Sequence, residues 1–461
     1  MMTKGKLPYE WKKSCINDIA TVVAGGTPKA ANPDNFAEPG TEIAWLTPAD
    51  LSGYTKKYIK YGARDLSECG YNSSSAKLMP KGTLLFSSRA PIGYVAIAAN
   101  EISTNQGFKN FIFTDHIDPS FAYYYLRNIR GLAESLGTGT TFKEISGATA
   151  KKLPFVIAPL PEQKVITQKL DSLLSQVNSI KTHLEKIPQV LKKFRHAVLA
   201  SAVSGHLGGL KDSNPLFENA KLKDLTSKIG SGSTPKGGNN TYKSEGIPLV
   251  RSLNIHTHYI KYEDLAFLDE EQAKKLANVK IQSNDVLLNI TGASIGRVNI
   301  APEQFIGGRV NQHVAIIRCK IDRIIPKYLH IFLASPSIQK WIVGENYGAT
   351  RQALTKKMLE DLVITVPSIQ QQTEIVRRVE KLFFWADSIE KQVIEAQQRV
   401  NNLTQSILAK SFRGELTEQW RKDNPDLISG ENSAESLLKK IKAERALAIS
   451  EKPTKRGRKK S

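Results

Sequence analysis

The sequence predicts an α+β chain in which two strand-rich domains are separated by two long helices, packed as an antiparallel coiled coil with a pseudo-two-fold internal repeat. Three observations predict this class: a repeat of half the chain, two heptad patterns, and a short connection between the halves. The expected boundaries are a first domain with an N-terminal segment at 1–160, a first long helix at 161–207, a link at 208–224, a second domain at 225–368, a second long helix at 369–413, and a C-terminal segment with a disordered basic tail at 414–461.

Five short motifs recur in the same order, at offsets between 203 and 209 residues. They are Gly26-Thr27-Pro28-Lys29 with Ser233-Thr234-Pro235-Lys236, residues 43–51 with 247–255, Ala90-Pro91-Ile92-Gly93 with Ala293-Ser294-Ile295-Gly296, Asn105-Gln106 with Asn311-Gln312, and Gly139-Thr140-Thr141 with Gly348-Ala349-Thr350. Behind them, residues 163–207 align with 372–416 without a gap. One such pair is a weak signal, but the ordered set predicts two units, each a variable globular part followed by a better-matched segment.

The better-matched segments are predicted to be long helices, because their apolar residues recur at alternating steps of four and three. This spacing is the heptad pattern of a coiled coil. The expected seam residues are Ile166, Leu170, Leu173, Val177, Ile180 and Leu184 in the first helix, and Ile375, Val379, Leu382, Ala386, Ile389 and Val393 in the second. Two separate amphipathic helices, each on its own domain, are the alternative. Pro188 should kink the first helix because it removes a backbone hydrogen bond.

The connection between the halves favours antiparallel helices. Each helix of about 42 residues would be ~63 Å long, whereas the link of about 17 residues at 208–224 spans ~60 Å only when fully stretched. A parallel pair would need this link to run back along the whole coil. Residues 5–13 also resemble 414–422, with the same spacing from glycine to tryptophan. These segments are therefore expected to meet at one end of the coil; chance similarity is the alternative.

The globular parts are expected to be dominated by short strands. Residues 84–86 and 286–288 are apolar runs that follow the turn formers Gly82 and Asn284, which is typical of buried strands. Helices are expected only in a few places, around 119–130 and 326–334.

Charge and composition narrow the class of protein. The 65 Lys and Arg residues outnumber the 44 Asp and Glu residues, and the formal net charge of +21 favours a polyanionic partner, most simply nucleic acid. A basic soluble protein without such a partner is the alternative. The hydrophobic content of 40% excludes a wholly disordered chain. No apolar run approaches the ~18 residues of a membrane helix, the start lacks an apolar signal core, and the three cysteines are far apart, so we expect a cytoplasmic protein without membrane association.

Catalytic motifs are missing from the sequence. It has no phosphate-binding Gly-x-x-x-x-Gly-Lys-Ser/Thr loop, no dinucleotide fingerprint and no Asn/Asp-Pro-Pro-aromatic run of an amino-methyltransferase. Neither Pro33-Asp34 nor Pro425-Asp426 is followed by the Glu-x-Lys of a nuclease. His256-Thr257-His258 lacks a convincing third metal ligand. We therefore expect no catalytic residue, no cofactor and no metal site in this chain.

The repeated turns supply the candidates for DNA contact. Small and polar residues with Lys or Arg suit phosphate contact and the reading of base edges, where Asn and Gln can pair with adenine and Arg with guanine. A turn or cap role is the alternative for each residue, above all for Thr27, Thr234 and Asn105. The candidates are Thr27, Lys29, Ser88, Arg89, Asn105, Gln106, Thr141 and Lys143 in the first half, and Thr234, Lys236, Arg251, Asn289, Arg297, Asn311, Gln312, Arg351 and Gln352 in the second.

The chain closely resembles the specificity subunit of a type I restriction–modification enzyme, in the enterobacterial type IA-like branch. The resemblance rests on LPEQKVITQKLDSLLSQVNSI from Leu160, EIVRRVEKLFFWADSIEKQV from Glu374, and NNLTQSILAKSFRGELTEQWRKDNPDLISGENSA from Asn401. It is strong at 159–207 and 369–460 and loose in the globular parts. The bulky residues 383–385 depart from the smaller residues expected at that heptad turn.

The resemblance implies a non-catalytic subunit of a DNA-methylating and DNA-cleaving complex. The globular parts would be target-recognition domains, each reading one half of an asymmetric bipartite site in double-stranded DNA. The coiled coil would set the gap between the half-sites and dock two modification subunits, and two restriction subunits would complete the enzyme. The assembled enzyme would use S-adenosylmethionine, ATP and Mg²⁺.

Three other classes of protein compete with this interpretation. A self-sufficient nuclease or methyltransferase needs a catalytic motif that is missing here. A single-chain pseudo-dimeric regulator predicts a symmetric site, which the divergent halves disfavour. A coiled-coil scaffold without a DNA role leaves the positive charge unexplained, although the charge could serve RNA.

Overall fold

The computed structural model describes residues 7–89, 91–139, 143–207, 218–235, 241–344 and 353–450. The chain divides into two compact units: a first unit of residues 1–182 with 397–461, and a second unit of residues 183–396. Over the described ranges, no helix combines the length and the apolar character needed to cross a bilayer.

The globular part of the first unit is rich in short strands. In chain order its elements are β1 (Lys12–Cys15), α1 (Ile16–Ile19), β2 (Ala20–Ala24), β3 (Phe36–Ala37), β4 (Trp45–Leu46), β5 (Tyr58–Ile59), β6 (Asp65–Leu66), α2 (Glu68–Asn72), β7 (Leu84–Ser87), β8 (Val95–Ala98), β9 (Ser103–Thr104), β10 (Phe108–Phe113), α3 (Pro119–Asn128), α4 (Arg130–Ser135), α5 (Gly147–Lys151) and β11 (Pro154–Ile157). The main sheet has the order β2-β10-β7-β8-β5, and smaller pairs are β1-β11, β3-β6 and β4-β9.

The first long helix, α6 (Leu160–Val203), leads from this globular part to the second. The elements that follow are β12 (Glu218–Lys221), α7 (Leu222–Leu225), β13 (Thr226–Ser231), β14 (Ile247–Val250), β15 (Ala266–Leu268), α8 (Glu270–Lys275), β16 (Val286–Asn289), β17 (Val298–Ile300), β18 (Arg309–Val310), β19 (Val314–Cys319), α9 (Pro326–Ala334), α10 (Pro336–Gly344), α11 (Lys356–Asp361) and β20 (Val363–Val366). The chain continues with the second long helix, α12 (Ile369–Ser411), and with α13 (Glu418–Asp423) and α14 (Ala434–Ser450).

The two globular parts share one topology. The order β13-β19-β16-β17 in the second repeats β2-β10-β7-β8 in the first, and the pair β12-β20 repeats β1-β11. Both parts also contain an equivalent short parallel pair, β4 with β9 and β14 with β18, and the first part has a second parallel pair, β5 with β8. The internal repeat predicted from the sequence is therefore a repeat of the fold. β12 lies inside the segment 208–224 that was expected to be only a link, because its partner β20 is distant in sequence and its polar residues gave no strand signal.

The continuous apolar runs have a simple structural cause. In β7, Leu84 and Phe86 face one hydrophobic core while Leu85 faces another, so both sides of the strand are covered. β16 repeats this arrangement. A strand buried on both faces reads as an unbroken apolar run, as the sequence predicted for 84–86 and 286–288. The helices expected around 119–130 and 326–334 are α3 and α9.

The two long helices are antiparallel. In the first unit, Leu170 near the start of α6 shares a core with Leu408 and Phe412 at the end of α12. In the second unit, Leu199 near the end of α6 shares a core with Val376 near the start of α12. Each unit thus joins the beginning of one helix to the end of the other, which confirms the direction predicted from the short link. The helix α6 continues through Pro188.

The predicted seam residues differ in burial along the helices. Buried positions are Ile166, Leu170, Val177, Ile375, Val379, Ala386 and Val393, and partly buried positions are Leu173, Leu184 and Leu382. Ile180 and Ile389 remain 48% and 40% exposed. Leu174 and Val376, which lie beside the predicted seam, are buried instead. Near the ends, the globular parts pack on the helices together with the opposite helix and widen the buried stripe beyond the heptad seam.

A pair of equivalent buried glutamines attaches each globular part to its long helix. Gln163 Oε1 accepts the backbone N–H of Asp118 at 2.8 Å, and its Nε2 donates to the carbonyls of His116 and Ala158. Gln372 accepts the N–H of Ile325 at 2.7 Å and donates to the carbonyls of Arg323 and Pro367. These two residues occupy aligned positions of the repeat, so the same attachment is built twice.

The beginning of the described chain meets its C-terminal segment within the first unit. The buried carboxylate of Glu162 accepts hydrogen bonds from Trp11 Nε1 at 2.8 Å, from Thr417 Oγ1 at 2.6 Å and from Arg421 at 2.6 Å. The helix α14 adds ion pairs, including one of Glu435 with Lys12 at 3.2 Å. The meeting of these segments, predicted from their similar sequences, is present in the structure.

Candidate nucleic-acid interface

A loop and a turn come together at the same place in each globular part. In the first, the loop after β2 packs so closely on the turn before β10 that a Cβ on Gly25 would lie 2.0 Å from the carbonyl oxygen of Asn105. In the second, a Cβ on Gly232 would lie 1.8 Å from the carbonyl oxygen of Val310. Glycine is required at both positions because no side chain fits between the two backbones.

This packing brings together two of the repeated motifs. The hydroxyl of Thr27 donates to Oε1 of Gln106, and the hydroxyl of Thr234 donates to Oε1 of Gln312. Both glutamines are exposed, and both threonines are partly buried. Each globular part therefore presents an amide at an equivalent point of its surface, with the amide oxygen already oriented by a threonine.

The asparagines of the same motifs shape the turn. Asn105 Oδ1 accepts the backbone N–H of Gly107 at 2.9 Å, and Asn311 Oδ1 accepts that of His313 at 3.0 Å. Such bonds between an Asn side chain and the backbone two residues later stabilise tight turns. The turn role considered for Asn105 is the one the structure shows, and it holds the neighbouring glutamine at the surface.

The strand ends beside the turn carry further candidates. Ser88 is buried, and its hydroxyl donates to the carbonyl of Gly107 at 3.1 Å. Arg89 follows it and lies at the surface, where its Nε donates to Glu144 at 3.0 Å. Lys143 is exposed next to Glu144. Arg89 directly follows the residue that is hydrogen-bonded to the turn, and Lys143 precedes Glu144, the ion-pair partner of Arg89. Ser88 is corrected to an interior role because its side chain is fully buried.

The corresponding strand end of the second part holds different residues. The backbone N–H of Ile290 donates to the carbonyl of His313, as the N–H of Ser88 does to Gly107, so Thr291 occupies the place of Arg89. Thr291 Oγ1 is hydrogen-bonded to Nδ1 of His313. Gln312 Nε2 lies 3.1 Å from Nε2 of the same ring. The sequence reasoning missed His313 and Thr291, although the replacement of Gly107 by a histidine next to a repeated motif was a usable signal.

Three further candidates of the second part make other contacts. Asn289 is fully buried, and its Nδ2 donates to the carbonyl of Ser252 at 2.8 Å. It is therefore corrected to an interior role, like Ser88. Arg251 donates to the carbonyl of Asp264 and stacks over Tyr242, and Arg297 approaches His256 Nδ1 at 3.4 Å. Over the described ranges, no hydrogen bond joins either arginine to the Thr234–Gln312 pair.

Of the remaining candidates, Lys29 lies in the part of the chain that the structure describes. Lys29 is exposed directly after the Thr27 loop, where it adds positive charge near Gln106. Thr141, Lys236, Arg351 and Gln352 lie outside the described residues, as does the basic tail.

A second repeated motif escaped the sequence reasoning. The residues Tyr-Ile-Lys-Tyr occur at 58–61 and again at 259–262. All four tyrosines are exposed, by 47% to 57%. The sequence signal for this motif was that four consecutive residues are identical in the two halves, at nearly the spacing of the repeat. In the second copy, the ring of Tyr259 stacks on His256 with centroids 4.2 Å apart.

The electrostatics near Arg297 favour neutral histidines. Burial, together with the neighbouring Arg297, holds the pKa of His256 below its ordinary value. Burial and the neighbouring Arg195 do the same to the pKa of His258. The positive charge at this place at neutral pH therefore belongs to the arginines. In the part of the chain that the structure describes, no group of three or more His, Cys, Asp or Glu residues is arranged to hold a metal ion.

Comparison with known proteins assigns the chain to a family. The family model described as "Type I restriction modification DNA specificity domain" matches twice, at residues 8–189 and 215–397. The chain belongs to the type I restriction–modification DNA specificity family. The two matches of the family model correspond to the two halves of the internal repeat.

Curated members of the family are similar over most of their length. The EcoBI specificity subunit of Escherichia coli is 41% identical over 74% of this chain and 75% of its own. The EcoKI specificity subunit of Escherichia coli strain K12 is 33% identical over 99% of this chain and 100% of its own, and the StySPI subunit of Salmonella potsdam is 32% identical with the same coverage.

A solved structure of the family has the same fold. The HsdS subunit from Thermoanaerobacter tengcongensis superimposes with a TM-score of 0.62 at 18% identity, covering 89% of this chain and 99% of its own. A chain from a study of complex assembly in a type I R-M system gives a TM-score of 0.65, also at 18% identity.

Proposed function

We propose that this chain is the non-catalytic DNA-recognition subunit of a type I restriction–modification complex, and that each globular part reads one half of an asymmetric bipartite site. The observation that carries the proposal is the duplicated Thr–Gln pair, exposed at equivalent places on two similar domains. Asn and Gln amides are suited to adenine edges. The net charge of +21 supplies attraction to the DNA backbone.

The two halves differ at surface positions beside the shared turn, as expected of a protein that recognises an asymmetric DNA site. The turn, its asparagine and the Thr–Gln pair are common to both, whereas Arg89 and Gly107 in the first half correspond to Thr291 and His313 in the second. Shared residues build the turn, and residues that vary beside it alter the surface offered to a base. This division fits two half-sites of different sequence.

The long helices are proposed to set the gap between the half-sites and to dock two modification subunits. The second helix carries Phe384 and Trp385, which are 74% and 67% exposed. Large apolar side chains exposed on a helix are typical of protein interfaces. The bulky residues that depart from the expected heptad turn are thus available to a partner.

The complete assembly is proposed to include two restriction subunits and to use S-adenosylmethionine, ATP and Mg²⁺ on subunits other than this one. The names of the relatives, each a specificity subunit of a type I restriction enzyme, support the assembly. A cytoplasmic location is proposed with it, because the chromosomal DNA that such an enzyme modifies lies there.

The test is to express this chain with a matching modification subunit in a host without type I systems. Long-read sequencing would map N6-methyladenine across the genome, with a strain lacking this chain as the control. We expect a bipartite motif that appears only with this chain. A soluble complex that produces no new motif would contradict the proposal.

A further inference from the structure

The second globular part contains a chain of four hydrogen-bonded side chains. It runs from Thr234 to Gln312, from Gln312 to His313, and from His313 to Thr291. The Gln312 Oε1 accepts from the Thr234 hydroxyl, so Nε2 is the atom that faces the imidazole. With the amide in this orientation its nitrogen donates, so the neutral ring accepts at Nε2 of His313. Nδ1 then carries the proton and donates to Thr291.

This arrangement leaves one face of the amide unused. A glutamine amide has two lone pairs on oxygen and two hydrogens on nitrogen. The network uses one lone pair and one hydrogen, which leaves a lone pair and a hydrogen for a ligand. A lone pair and a hydrogen on the same edge of an amide match the N6 donor and N7 acceptor of adenine in the major groove.

The first globular part offers a natural contrast. Its Thr27–Gln106 pair is equivalent, but Gly107 stands where His313 stands in the second. A Cβ on Gly107 would lie 2.8 Å from Cγ of Pro48, so no side chain is accommodated there. The amide of Gln106 is therefore oriented through its oxygen side by Thr27, without an imidazole on its nitrogen side.

We propose that His313 is a positioning residue that holds the amide of Gln312 in one orientation, so that the second half-site is read through a fixed order of acceptor and donor. The proposal rests on the proposed function, because it assumes that the second globular part reads DNA. It assigns His313 no DNA contact of its own. Thr234 alone does not fix the amide, because a hydroxyl can accept as well as donate. Without the imidazole the amide could therefore turn over and exchange its acceptor and donor at the base edge.

The test uses the full chain in complex with the modification subunit. Methylation rates would be measured on duplexes with the first half-site fixed and each position of the second varied. Gln312→Ala identifies the position that Gln312 reads. We expect His313→Ala to lower the base preference at that position by about tenfold, the scale of one lost bidentate contact.

Two further variants distinguish an effect on the orientation of the Gln312 amide from an effect of side-chain packing at position 313. Glu at 313 can only accept, as Nε2 of His313 does, so H313E should keep the preference within about threefold of the parent. Lys at 313 can only donate, so H313K should force the opposite amide orientation and change which base is preferred. His206→Ala is the matched control, because the ring of His206 contacts Ser204 instead of the network.

The outcomes are distinct. Equal effects of H313A, H313E and H313K at that position would reduce His313 to a packing role and overturn the inference. An unchanged DNA motif for the Gln312→Ala complex would also overturn the inference, although the proposed function would stand. An unchanged preference for the first half-site shows in each case that the variant is folded. If the complex with the unsubstituted chain methylated no specific DNA motif, the proposed function itself would be contradicted.

Discussion

At the residue scale, the duplicated glutamines Gln163 and Gln372 show how a polar side chain can anchor a domain. Each satisfies one backbone N–H and two backbone carbonyls where a loop meets a long helix. Buried backbone groups that lose their partner keep the full cost of leaving water, which is why such residues stabilise more than a surface hydrogen bond. Each lies one three-residue step before the first predicted seam residue, Ile166 or Ile375, but the heptad pattern gives no sign of them because both are polar.

Replacing Gln372 by Leu should destabilise the second unit. The substitution leaves the N–H of Ile325 and the carbonyls of Arg323 and Pro367 without their side-chain partner, at a cost of roughly 3 kcal/mol in the free energy of unfolding. Urea denaturation would measure it. Gln370→Leu, two residues away and exposed, is the control and should change stability by no more than about 0.5 kcal/mol. Equal stability of the two variants would contradict the anchoring role.

At the scale of elements, the long helices are held by different contacts along their length. Apolar cores fix their ends, whereas Arg195 of α6 donates to Asp387 at 2.6 Å and Glu390 at 2.8 Å of α12. The partly exposed Ile180 and Ile389 belong to the stretches between. Because the two apolar cores include only the ends of the helices, residues can be added to the stretch between without disturbing either core, as a spacer requires.

Insertion of four residues into both helices, after Thr182 in α6 and after Ala396 in α12, should lengthen the gap between half-sites. Four residues add ~6 Å of helix, which is about two base pairs at 3.4 Å each. Mapping N6-methyladenine motifs would measure the new gap. The same four residues inserted into the segment 208–217 should leave the gap unchanged. An unchanged gap after the double insertion would refute the spacer role of the helices.

At the scale of the whole molecule, the same fold occurs twice, and each copy has its own candidate DNA-binding surface. The sheet order, the glycine-dependent loop and the glutamine anchor recur in both halves, so the halves share their scaffold. The surface residues next to the repeated amide do not recur. Two readers on a common scaffold should respond independently to substitution.

The substitution Gln106→Ala should therefore relax the first half-site and spare the second. The loss of a bidentate amide contact costs about 1–3 kcal/mol of discrimination at one base pair. Methylation of duplexes that vary in only one half-site would show it, and Gln312→Ala, with the opposite pattern, is the matched control. Weakening that is uniform across all sequences would mean that Gln106 contacts only the DNA backbone.

The sequence by itself determined the architecture of this protein. The repeat, the heptads at 166–184 and 375–393 and the apolar runs at 84–86 and 286–288 are local patterns, and each reports burial directly. The length of the link was enough to predict antiparallel helices, because chain connectivity is a geometric limit that needs no side-chain contacts.

Only the tertiary structure decided which candidates are exposed. Ser88 and Asn289 resemble surface polar residues in sequence, yet both are fully buried and hydrogen-bonded to residues distant along the chain. Gln106 and Gln312 stay outside because the glycine loop and the asparagine turn hold them there. The contact of His313 with Gln312 and Thr291 likewise joins a turn to a strand end. Exposure and hydrogen-bond direction depend on how separate elements pack, and local sequence patterns do not record that packing.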